Sequence, residues 1–256
     1  MGAKKALVSP VLVTFGEKTD MVYPEARIRQ AFPMELSVHE ISGSVKREVL
    51  SIFPDLVKYL RESGTQATKV YILTTFQPSN HELLDWSDEA AKAKDRLLEN
   101  FFAFAAHFRE MVKVHVNHGT SAPLLGQAPG LAASETSASG PPSTASTAAS
   151  SVICPFVDFI DPCSGHPANT ACSSAIYSEV ESAQRLLAYP VDQVAQCVVV
   201  RHPKWGPSAY PASVVTTAPA DVIARVIASM ASDGAGLSSF VRSCTAGLDA
   251  QPTSPQ

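Results

Sequence analysis

The chain has no apolar run near the ~20 residues that a membrane-spanning helix needs. The stretch from Ala6 to Phe15 is apolar, but Pro10 breaks it and Glu17 and Asp20 follow closely, so it makes a poor signal or transit peptide. Position 6 is Ala, where a myristoylation motif wants Ser or Thr. Positive charge is not in excess either. Twenty Lys and Arg face 24 Asp and Glu, for a net charge of −4 and a pI near 6.0. That leaves no electrostatic case for nucleic acid. There is no Gly-x-Gly-x-x-Gly and no phosphate loop, so a nucleotide site has no local signal. No Ser-His-Asp arrangement has local support. Cysteine is scarce and odd in number: Cys154, Cys163, Cys172, Cys197 and Cys244. An odd count in a chain this long does not suggest a disulfide scaffold, and a reducing compartment follows, most simply the cytosol.

What is present is a globular composition, 45% hydrophobic and 17% charged, enough for one sizeable core. Val45, Val49, Ile52, Phe53, Leu56 and Leu60 recur at helical spacing, and Pro54 splits the pattern. Lys69 to Phe76 reads as a strand. Ser87 caps a helix whose first turn holds Asp88 and Glu89. Leu97, Phe101, Phe104, Ala105, Phe108 and Val112 form its apolar stripe, and Met111 to Val116 is expected to leave it as a strand. Gly119 to Ser151 is mostly Ala, Ser, Thr, Gly and Pro with one charge, Glu135, and no aromatic residue, and reads as a disordered insertion. Beyond it the pattern predicts a strand over 156–160, a helix over 174–187, a central strand over 195–201, a strand over 212–217 and a helix over 220–231. The order is mixed, which favours α+β with a mixed, mainly antiparallel sheet and packed helices. The expected organisation is an extended arm over 1–43 with some strand content around Val11 to Phe15, one α+β domain over 44–248 interrupted at 119–151, and a disordered tail over 249–256.

The chemistry-bearing segment is Tyr189 to Gly206. Cys197 heads the apolar strand, and an Arg-His-Pro-Lys-Trp-Gly turn follows it at once. Arg201 shares the parity of Cys197 and is expected on the same sheet face, where a cation would favour the thiolate. Such a thiolate is a soft metal ligand. The competing reading is a small buried hydrophobe. A Cys197–His202 nucleophile–base pair is disfavoured, because residues five apart on a strand face opposite sides. Cys154, Cys163, His166 and Cys172 could be read as a Cys3His zinc site, but their spacing is irregular. His107 and His115 sit in apolar segments and read as structural. Trp86 and Trp205 each either mark a partner surface or cap a core.

These peptides resemble the CblD-type cobalamin trafficking proteins, the methylmalonic aciduria and homocystinuria type D protein family. The resemblance rests on Val49-Leu50-Ser51-Ile52-Phe53-Pro54, the strand at Val70 to Thr75, Trp86-Ser87-Asp88-Glu89 and Leu97 to Phe101. It resumes with Asp158-Phe159-Ile160-Asp161-Pro162, Ser164-Gly165, Val191-Asp192, Cys197, Arg201-His202, Trp205-Gly206 and Thr217-Ala218. It implies a modified flavin-nitroreductase-like fold without flavin. It implies a non-enzymatic adaptor, cytoplasmic and also mitochondrial; charge and hydropathy add the expectation of no nucleic-acid and no membrane partner. The adaptor would bind a CblC-type partner and direct cobalamin toward methionine synthase, itself a further partner, and methylmalonyl-CoA mutase. The implied site is Cys197 as cofactor-binding thiol and cobalt ligand, with Arg201, His202 and Trp205 binding the partner. At one place the chain departs from the family. Where relatives carry two adjacent cysteines, the first being the proposed cobalt ligand, this chain has Gln196-Cys197. Strand alternation then expects Cys197 toward the core and Gln196 toward cobalamin. Two other readings stand beside the adaptor: a flavin-dependent nitroreductase-like enzyme, and a thiol enzyme using Cys197.

Overall fold

The computed structural model describes residues 8–15, 31–64, 69–119 and 154–231. In chain order the elements are β1 (Val8–Phe15), β2 (Phe32–Ile41), α1 (Gly43–Ile52), α2 (Pro54–Glu62), β3 (Val70–Pro78) and α3 (Asp88–Gly119). Then come β4 (Val157–Phe159), α4 (Glu179–Leu187), β5 (Val191–Val194), β6 (Cys197–Val200), β7 (Ala209–Thr216) and α5 (Ala220–Met230). Five strands form one sheet in the order β1-β2-β3-β7-β4, and every pairing in it is antiparallel. β5 and β6 make a separate two-stranded sheet. The α+β class with a mainly antiparallel sheet is what the sequence predicts. No helix among the described residues is long and apolar enough to cross a membrane.

Helices cover both faces of the large sheet. Residues paired across an antiparallel ladder point to the same face. Met34, Leu36 and Val38 of β2 therefore share a face with Leu73 of β3 and with Ala212 and Val214 of β7. On that face lie Phe101, Phe104, Phe108 and Val112 of α3 and Val222, Ile223, Val226 and Ile227 of α5. The opposite face carries Val70 and Ile72 of β3 with Val215 of β7, under Val49 and Ile52 of α1, Phe53, and Leu56 of α2. Pro54 sits at the first position of α2, where its missing N–H costs nothing, so the expected split falls where the sequence puts it. With both faces covered, β3 is buried along its length as far as Gln77.

The opposite face also holds a buried polar row. Ser37, Thr74 and Ser213 stand in register across β2, β3 and β7. Ser213 Oγ donates to Glu179 Oε2 at 2.6 Å, and the Tyr177 hydroxyl donates to Ser182 Oγ. His39 lies beside Ser37, its Nε2 2.8 Å from Ser37 Oγ.

Several expectations need correction. The arm expected over 1–43 contributes β1 and β2 to the sheet, because Phe32, Met34, Leu36 and Val38 alternate with Pro33, Glu35, Ser37 and His39. Met111 to Val116 stays helical, since burial of Val112 continues the α3 stripe. The helix expected over 174–187 begins only at Glu179, where Ser178 Oγ accepts from Glu181 N at 3.2 Å. The strand expected to be central, 195–201, lies in the small sheet, and β3 and β7 hold the centre. The insertion at 119–151, save Gly119 at the end of α3, and the tail at 249–256 lie outside the described residues.

Candidate functional site

The segment singled out for its chemistry folds as a hairpin with a pinned base. β5 and β6 pair from Val191–Val200 to Val194–Cys197, and Ala195-Gln196 make the two-residue turn. Ala195 has φ 54°, the left-handed value that tight hairpins demand at a central position. Only the base is buried: Val199 and Val200 are 7% and 2% exposed. Gln193 to Val198 are all exposed, and none of these six residues is charged. Cys197 is a free, exposed thiol. The expectation that it faces the core fails, because β6 is not a sheet-centre strand. Gln196 occupies the turn and Cys197 the next position, so both stand at the exposed tip. Arg201 is exposed at the base. Its Nε and Nη2 lie 2.8 and 2.7 Å from Asp192 Oδ2, so an acid already engages the cation expected beside the thiol.

His202 is where the hairpin joins the main sheet. It is 2% exposed, so it cannot itself touch a partner, and its assignment as a partner-binding residue is corrected to a buried anchor. The backbone N–H groups of Lys204 and Trp205 point at Nδ1, at 3.2 and 3.3 Å. Nδ1 therefore accepts, and Nε2 donates to Glu35 Oε1 at 2.9 Å. Reciprocal backbone bonds between His202 and Gly206 close the turn, and Gly206 takes φ +57°. Trp205, half-buried, stacks on the imidazole at 4.5 Å and 16°, while Tyr189 meets it edge-on at 5.2 Å. The Tyr189 hydroxyl also donates to Glu35 Oε1, at 2.9 Å. Burial alone would raise the Glu35 carboxyl. The hydrogen bonds from His202 and the Tyr189 hydroxyl, with the charge of Lys204, outweigh it and hold the carboxyl below its usual range. Glu35 went unmarked in the sequence; the only signal is the period-two alternation of β2.

The other singled-out residues do not converge. Among the described residues, no three His, Cys, Asp or Glu side chains could hold a metal ion, and Cys154, Cys163 and Cys172 are separately exposed. Burial pushes the Cys154 thiol up, with Lys113 opposing. Cys244 lies outside the described residues. Trp86 is 86% exposed, with Lys94 Nζ 5.5 Å from its ring centre, so it caps no core. His107 and His115 are half-buried on α3, and neither is without a partner.

The Asp-Phe-Ile-Asp-Pro peptide builds structure. Asp158, fully buried, accepts from Phe159 N, Asn169 N, Asn169 Nδ2 and Thr170 Oγ1 at 2.6–3.2 Å. Asp161 accepts from Cys163 N and Ser164 Oγ, closing the turn that leads to Gly165.

Fold and site together define an α+β protein that presents a hairpin with an uncharged, thiol-bearing tip on an anchored base. Comparison with known proteins shows what the chain resembles. Residues 156–227, from β4 into α5 and including the hairpin, match the family described as methylmalonic aciduria and homocystinuria type D protein. The chain is 24% identical over 188 residues to the cobalamin trafficking protein CblD of Rattus norvegicus. It is 23% identical over 188 residues to that of Mus musculus. Each alignment covers 73% of this chain and 48% of the relative, so the chain spans about half the length of the curated relatives it matches. The resemblance to the CblD-type family is borne out. Neither comparison supports a flavin enzyme.

Proposed function

We propose that this chain acts in cobalamin trafficking as a non-enzymatic adaptor. It docks on a CblC-type partner that holds cobalamin and directs the cofactor toward methionine synthase or methylmalonyl-CoA mutase. The scaffold is a nitroreductase-like fold put to use without flavin, and the site of action is the cytosol or the mitochondrion. The observation that carries this reading is a coincidence: the family match at 156–227 contains the hairpin whose exposed tip bears Cys197.

In this reading cobalamin is cargo. The tip enters the partner's pocket, and the Cys197 thiolate supplies a soft sulfur to cobalt. Having Gln at 196 moves the thiol by one position along an exposed turn and does not turn it into the core. Arg201 and Trp205 flank the base and face the partner.

Mixing the chain with a cobalamin-loaded CblC-type partner and recording the corrin visible spectrum tests this. A shift that disappears in Cys197→Ser establishes sulfur ligation. Complex formation without a shift removes the cobalt–sulfur bond and keeps the adaptor. Absence of a complex removes both.

A further inference from the structure

Tyr189 stands two residues before β5, and His202 two residues after β6. They are the two legs of the hairpin. Both donate to the same atom, Oε1 of Glu35, at 2.9 Å each. Glu35 belongs to β2 of the large sheet, in register with Phe76 of β3. The Phe76 ring packs against both legs, 5.5 Å from Tyr189 and 5.0 Å from His202. One carboxylate on a rigid strand thus holds both ends of an element that lies outside the sheet.

An isolated two-stranded hairpin is marginal in water, so its orientation depends on what fixes its base. Four residues per strand put the tip ~13 Å from the base, and a tilt of about 10° there moves the tip by ~2 Å. A displacement of that size is enough to miss a binding geometry. Burial alone opposes a charge here, since the Glu35 side chain is only 14% exposed, and it is the hydrogen bonds from the two legs that make the carboxylate tenable. An apolar residue would pack there at less cost, but it would leave a buried imidazole N–H and a half-buried phenol without their acceptor.

We propose that Glu35 is a positioning residue for the Cys197 hairpin, fixing the tip's stance toward its partner by accepting a hydrogen bond from each leg. This deepens the proposed function and rests on its premise that the tip meets the partner. Glu35 contacts neither partner nor cargo; it acts through Tyr189 and His202.

The test uses the full chain carrying Trp86→Phe, which leaves Trp205 as the sole tryptophan. Glu35→Leu removes the acceptor, Glu35→Gln keeps a carbonyl oxygen in its place, and Tyr189→Phe removes one donor with little change in volume. Three quantities are read: acrylamide quenching of Trp205 fluorescence, the rate of Cys197 alkylation by iodoacetamide located by peptide mass, and affinity for the cobalamin-loaded CblC-type partner. Glu35→Leu is expected to raise quenching and alkylation and to weaken the complex about tenfold or more, the loss of hydrogen bonds to a charged acceptor. Glu35→Gln should restore most of each signal, and Tyr189→Phe should fall between. Unchanged Trp205 and Cys197 signals in Glu35→Leu overturn the proposal, as does a Gln variant as impaired as Leu. Should Glu35→Leu fail to fold, the ordering of Tyr189→Phe against Glu35→Gln decides: a Tyr189→Phe variant identical to the parent overturns it. Altered Trp205 and Cys197 signals with unchanged partner affinity support the positioning role and overturn the premise that the tip meets the partner.

Discussion

Gly165 takes φ +72°, and a Cβ added there would lie 2.8 Å from the Tyr177 carbonyl oxygen. Tyr177 N also donates to Gly165 O at 2.8 Å, so the two backbones are already in contact. Gly165→Ala should therefore cost about 2–3 kcal/mol, from left-handed strain plus a displaced backbone. The urea midpoint reads this directly, and an unchanged midpoint would contradict the geometry. Single residues also show what a sequence conveys and what it hides. Cys197 was legible as a thiol beside a cationic turn, but its direction was not. The run Val198-Val199-Val200 looks like a sheet-centre strand, yet only Val199 and Val200 are buried, against the base. Glu35 was invisible for the opposite reason. A polar residue alternating with apolar ones looks like solvent-facing strand until a second layer is seen to cover it.

Helix α3 shows how an element is specified. Ser87 Oγ accepts from Ala90 N at 3.2 Å, and Asp88 and Glu89 sit in the first turn, where they suit the helix dipole. Ser87→Ala should cost about 1 kcal/mol in thermal or urea unfolding and leave the fold intact. A neutral result would mean that other contacts set the start of the helix. This cap and the aromatic stripe were both readable, because spacing at 3.6 residues survives any tertiary context. The last turns were misread. Val112, Val114 and Val116 are β-branched and mimic a strand, but burial of Val112 in the core overrides that propensity. β1 and β2 were missed as sheet members because nothing local separates an amphipathic strand from an extended arm; pairing with β3 makes the difference. The small sheet was missed because an apolar run says that something buries it, not what.

For the whole molecule, the buried ionisable groups under the second face set a pH dependence. Burial pushes the Glu179 carboxyl up to about 8, against the pull of the Ser213 hydroxyl. Burial raises the Tyr177 and Tyr210 phenols as well, with Glu179 a lesser contributor to each. Burial also holds His39 down at about 4. For Glu179 the folded state binds the proton more tightly, so its contribution is full at low pH and is lost as pH rises toward 8. For His39 the unfolded state binds the proton more tightly, so stability is lost as pH falls below about 6.5. The two slopes oppose each other between about pH 4.5 and 6.5, and above that range Glu179 acts alone. Stability should therefore drop by about 2 kcal/mol from pH 6.5 to 8, and Glu179→Gln should flatten that drop. Urea midpoints across this range measure it; an equally steep drop in the variant would remove Glu179 as its source. The claim on which the account turns is that this chain docks on cobalamin-bearing partner through the 189–206 hairpin. Size exclusion of the chain with a CblC-type partner, empty and cobalamin-loaded, tests it most directly. The account predicts co-elution that strengthens with cobalamin; separate elution of the two proteins in both states would contradict it.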